Sequence, residues 1–260
     1  MTTINEEEVR RECERQLADI FAYVDKVQAL LDGPQSRFAV KAGSALAGDD
    51  KKSDPYHVSH DAGRLIGVGY QHLHALGCLL RSGALHTSPP FTLVRAAIET
   101  GSMAYWLLEP RRRPARVLRR LQLARQDVYD GDTAATQAGI PVNRSREDRL
   151  KDLEAIALRV CGSDKIPGLR PSEIVKEVEG KLPERHERRQ FLAWQACSGF
   201  THGRLWPEVS LLKRELISQN GDVQTLRMTN DLTRVWWVTR AASGVLDAAV
   251  GMFDERNQGS

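Results

Sequence analysis

The sequence predicts an all-α protein: a single-domain helical bundle with one small β-hairpin near residues 211–229. Three observations carry this. Apolar residues recur at helical spacing along most of the chain. No strand–helix alternation of the βαβ kind is present. Finally, Asn220-Gly221 places a tight type I′ turn between two partly alternating segments.

The elements follow in order within one domain spanning 1–260. The N-terminal helix, within 1–32, opens with Asn5 as cap and Glu6, Glu7 and Glu8 at the positive end of the dipole. Val9, Cys13, Leu17, Ile20, Phe21, Val24, Val27, Leu30 and Leu31 form its apolar stripe, and Gly33-Pro34 ends it. The stretch 41–55, KAGSALAGDDKKSDP, is small, polar and charged and reads as a flexible loop. Asp61 then caps a helix to about Leu80, and Ser88, followed by Pro89-Pro90, opens another that ends near Glu109-Pro110. Further helices are expected over 114–137, 145–160, 172–181 and 184–200. Past Gly203, Pro207 blocks easy continuation. After the hairpin, Asn230 or Asp231 caps a C-terminal helix within 230–256.

Composition narrows the function classes. Thirty-seven basic residues stand against 34 acidic ones, a net charge of +3, so any nucleic-acid site must be local. Cys13, Cys78, Cys161 and Cys197 lie far apart with no CxxC pair, and the polar N-terminus has no signal-peptide core. No apolar run approaches a membrane span. A cytoplasmic protein without disulfides or a membrane partner is expected.

Two constellations stand out. Arg95 and Glu99, at i and i+4 in FTLVRAAIETGSMAYWLLEP, are flanked by apolar residues on nearly every side. Opposite them, SGFTHG offers His202 at a helix end as an acid/base group, and the three are expected to form one polar cluster in an apolar interior. The second constellation is RRRPARVLRRLQLAR, 111–125. Its Arg112, Arg116, Arg119 and Arg120 make either a phosphate-binding face or a solvated face balanced by the acidic helix at 6–14 and by Glu184 and Glu187. His57, His60, His72 and His74 lack metal-ligand spacing, since two residues apart on a helix point about 200° from each other. Neither a glycine-rich phosphate loop nor a nucleophile elbow is present, and no cofactor or metal is expected.

Arg81-Ser-Gly-Ala-Leu-His86 resembles the RNase motif of HEPN-type all-helical proteins. RAAIETGSMAYWLLEP, the arginine-rich helix and ACSGFTHG together resemble uncharacterised all-helical proteins of actinobacteria, loosely HEPN-like. The resemblance implies a helical fold and allows a metal-independent ribonuclease of a toxin or phage-defence system. Three functions are therefore carried forward: a helical interaction or regulatory protein, such a ribonuclease, and a small-ligand-binding bundle. For the first, a homodimer is expected through the N-terminal helix or the last one, whose Val235, Trp236, Trp237, Val238, Val245, Leu246, Val250, Met252 and Phe253 exceed one buried stripe.

Overall fold

The structure is a computed structural model that describes residues 6–31, 37–183 and 189–259. Its described residues form α1 (Glu6–Leu31), α2 (Ala45–Ser53), α3 (Val58–Arg81), α4 (Pro89–Leu108), α5 (Arg113–Ala138), α6 (Arg146–Cys161), α7 (Pro171–Glu179), α8 (Gln190–Thr201), α9 (Leu205–Leu211), β1 (Lys213–Asn220), β2 (Val223–Thr229) and α10 (Leu232–Arg256). The all-α bundle with a small hairpin is therefore the observed fold. Asn5, Gly33-Pro34, Glu184 and Glu187 lie outside the described residues.

The central element is α4. Phe91, Val94, Ala97, Ile98, Leu107 and Leu108 are all fully buried, on several of its faces, because α3, α10, α8 and α7 pack around it. Close approach rests on two glycines. A Cβ on Gly69 would stand 2.5 Å from Leu246 Cδ2, and one on Gly101 would stand 3.0 Å from Val245 Cγ1. The α5–α6 pair is braced by α2, and α1 lies across α3 and α10.

Three boundaries differ from expectation. Residues 41–55 are not a loop throughout: Ser44 caps α2, its hydroxyl accepting from the Ala47 N–H at 3.1 Å. The reason is tertiary. Leu46 enters the core at 0% exposure and Asp49 is drawn under α5, so a polar, weakly amphipathic segment gains a buried face. Asp61 is likewise not the cap of α3, which begins at Val58 and keeps Asp61 as its first-turn acid. The expected stop at Pro207 is also followed by the short helix α9, which accommodates that proline in its first turn.

The hairpin is antiparallel, with Leu216 opposite Leu226, and Gly221 takes the φ of 58° that its turn requires. A bulge interrupts β1 between Leu216 and Ser218. Asp231 caps α10 as expected, accepting from the Thr233 N–H at 2.7 Å. Among the described residues no helix is long and apolar enough to cross a membrane.

Candidate functional site

Arg95 and Glu99 do pair, Nη2 to Oε2 at 3.1 Å, on the α4 face that meets α8. Trp194 Nε1 donates to the same carboxylate at 3.1 Å, and its ring lies 5.7 Å from the Arg95 guanidinium carbon. The side chains remain 26% and 20% exposed, so the pair is half-buried rather than sealed in the interior. Behind it Cys197 is fully buried, and burial drives its thiol well above the ordinary range, with Arg95 opposing.

His202 does not join them. It is the C-cap of α8 and exposed, and among the described residues its ring makes no hydrogen bond or ion pair with Arg95 or Glu99. Thr201 is the residue that faces α4, its hydroxyl 3.3 Å from that of Thr92. One residue later a helix has turned by about 100°, which carries His202 away. The expected three-residue cluster is thus corrected to a pair capped by a tryptophan.

The arginine helix is corrected more strongly. Arg116 is 3% exposed and fully engaged. It donates to both oxygens of Asp49, at 2.6 and 2.9 Å, and to the carbonyls of Pro110 and Arg111 at 2.7 and 2.9 Å. Arg119 bonds the Trp106 carbonyl, Glu109 and Glu177 while stacking 4.6 Å above the Trp106 ring. Arg120 reaches the His57 carbonyl at 3.3 Å and faces Asp61 at 3.6 Å. Of the four, only Arg112 is an exposed side chain. A ready-made phosphate-binding row is therefore not displayed, and the partners are Asp49, Asp61, Glu109 and Glu177 rather than the acids at 6–14. Asp49 is the residue the sequence reading missed. The available signal was Ser44 standing three residues before Ala47, with paired aspartates one turn on.

Arg81 pairs with Asp25 of α1 at 3.2 and 3.3 Å, and the His86 carbonyl accepts from Asn230 at 2.8 Å; Arg81 and His86 make no hydrogen bond with each other among the described residues. The described residues contain no group of three or more His, Cys, Asp or Glu side chains placed to hold a metal ion. The apolar width of α10 is absorbed within the chain. Val235, Val238, Val245, Leu246 and Phe253 are fully buried, and the half-buried Trp236 donates to Gln16 of α1 at 2.9 Å.

The hairpin presents a different surface. Every residue of β1 and β2 is exposed except the half-buried Met228. Leu216, Ile217, Val223 and Leu226 are 54%, 50%, 69% and 36% exposed, and just before the hairpin Leu205 and Trp206 of α9 are exposed as well. The ribbon is anchored at its base by the buried Leu212 and by a 2.7 Å ion pair from Lys213 to Asp231. Fold and surface together define an all-α bundle carrying a projecting antiparallel ribbon. Compared with protein-family models, curated proteins and solved structures, the chain matches none of them.

Proposed function

We propose that this is an interaction protein that assembles as a homodimer through its hairpin, β2 pairing antiparallel with β2 of a second copy. The observation that carries the reading is the exposed apolar ribbon with two open edges. A lone two-stranded hairpin is marginal in water, and an uncovered edge is a template for another strand. The bulge blunts the β1 edge, whereas the β2 register is continuous from Val223 to Thr225 and from Leu226 to Thr229 apart from the step opposite that bulge.

The β2 sequence is self-complementary about Leu226. An antiparallel self-pair centred there sets Leu226 against its own copy, Thr225 against Arg227, Gln224 against Met228 and Val223 against Thr229. No like charges stand directly opposite. Because Leu216 already pairs with Leu226, the four-stranded sheet carries an unbroken row of leucines across one face. This is β-augmentation in which main-chain bonds give affinity and the leucine row sets register.

Symmetry supplies the test. With Leu226 on the two-fold axis, Leu226→Cys is expected to yield a disulfide-linked dimer under mild oxidation, while Val223→Cys, opposite Thr229, does so far more slowly. Leu226→Lys is expected to give a monomer by light scattering with unchanged helical circular dichroism. A wild-type chain that stays monomeric at tens of micromolar sinks the reading.

A further inference from the structure

On the side of the bundle where the start of α3 meets α5, Pro55, His57, His60, Asp61, Arg64 and Arg120 line an open cavity of about 210 Å³. Its floor carries two buried polar atoms without hydrogen bonds: Asp61 Oδ2, an acceptor, and Arg120 Nη1, a donor. They form an ion pair at 3.6 Å, just beyond hydrogen-bond length, on side chains only 5% and 13% exposed. The pair is held from other sides as well: Arg64 donates to Asp61 Oδ1 at 2.7 and 3.0 Å, Arg120 Nε donates to the His57 carbonyl at 3.3 Å, and the Arg120 guanidinium lies 5.7 Å from the Tyr56 ring centre. A buried donor and a buried acceptor without hydrogen bonds are each destabilising. Arg64 also lines the cavity, and its side chain is 57% exposed.

We infer that this cavity binds a small phosphate monoester in its singly protonated form. An ordinary oxyanion satisfies Arg120 but meets a carboxylate at Asp61. A monoprotonated phosphate satisfies both: its P–OH donates to Asp61 Oδ2 and an adjacent oxygen accepts from Arg120 Nη1. The second ionisation of a phosphate monoester lies at about pH 6, so about half is in this form at pH 6 and roughly a tenth at pH 7. Arg64 and a ring nitrogen of His60 supply donors for the remaining oxygens, while His57, packed edge to face on His60 at 4.6 Å, is held through Nε2 by Asp54 Oδ1 at 3.1 Å.

The organic part has a place to go. A second cavity of about 390 Å³ shares Arg64 and is lined by Leu65, Met103, Leu123, Leu169 and Pro171, with Gln126, Asp127 and Asp130 beside them. Burial raises the Asp127 carboxyl above its ordinary range, Asp61 adding to the effect while Arg120 and Arg64 oppose it. The site is independent of the hairpin and of dimerisation through it.

Sulfate provides the decisive probe, being shaped and charged like phosphate but carrying no proton at neutral pH. By calorimetry on the intact chain, inorganic phosphate is expected to bind and sulfate to bind roughly tenfold or more weakly, since sulfate leaves Asp61 facing an anion with no donor. Phenyl phosphate is expected to bind tighter than inorganic phosphate, which separates a monoester site from one for the free ion. Asp61→Asn, which supplies a donor in place of the lone acceptor, is expected to abolish the preference for phosphate over sulfate. Equal binding of the two ions by the wild type, no phosphate binding up to tens of millimolar, or a preference that survives in Asp61→Asn overturns the inference. Phenyl phosphate binding more weakly than inorganic phosphate overturns the monoester. The wild-type comparison stands even where the variant fails to fold.

Discussion

Asp49 stands fully buried between Arg113 and Arg116, paired with both. Removing one partner of such a pair leaves the other charge buried and uncompensated, which costs about 3–5 kcal/mol. Asp49→Ala is therefore expected to lose stability of that order in urea unfolding, since Arg116 keeps only its two carbonyl acceptors. A loss below about 1 kcal/mol, the range of exposed pairs, would show that water already reaches the site. Glu99→Ala is a milder change. Its partner Arg95 is a quarter exposed and retains the Trp194 ring, so the loss is that of a partly screened pair and one hydrogen bond, about 1–2 kcal/mol. His202, exposed at the end of α8, is expected to tolerate alanine within about 0.5 kcal/mol, as surface sites do. Thermal unfolding of the three variants side by side checks the ranking.

At the scale of elements, the junction of β2 and α10 is set by one carboxylate. Partial burial alone would raise the Asp231 carboxyl, but the hydrogen bonds from Lys213 and from Thr233 outweigh it and hold the group at about 2. The folded value is thus depressed below the unfolded one of about 3.9. Its stabilisation is present above pH of about 4 and is lost as pH falls toward about 2. Asp231→Ala should cost about 1 kcal/mol at neutral pH, the usual worth of an N-cap. Its deficit against the wild type should shrink across that window, and a deficit that is constant with pH would argue against the cap. The two short elements at opposite extremes teach the complementary point. The hairpin was legible because Asn220-Gly221 enforces a turn through backbone chemistry alone. The α2 helix was not, because nine residues of small and charged composition cannot hold a helix without Leu46 in the core and Asp49 beneath α5.

At the scale of the whole molecule, α3, α4 and α10 meet more closely than side chains allow, and Gly69 and Gly101 mark where. Gly69→Ala gains helix propensity of up to about 1 kcal/mol, yet its Cβ would collide at 2.5 Å with Leu246, itself fully buried. Overpacking of that kind costs about 1–3 kcal/mol. The net expectation is destabilisation, read as a lower Tm; a stabilised variant would mean that Leu246 has room to turn.

What the sequence by itself determined is the helical class, the extents of most helices, the hairpin and the capping of α10. Each follows from the identities of residues a few positions apart: apolar spacing, a capping oxygen, a turn dipeptide. What only the tertiary structure decided is which charges lie inside. Arg116 and Arg112 belong to the same arginine run, yet one is sealed against Asp49, 67 positions away, and the other is exposed. Arg120 finds Asp61 and leaves a donor and an acceptor facing across a cavity, while His202 turns outward one residue past the contact with α4. Local pattern fixes which face of a helix is apolar. The fate of a polar residue depends on what the fold sets opposite it, and in this bundle the opposite residue comes from a distant part of the chain.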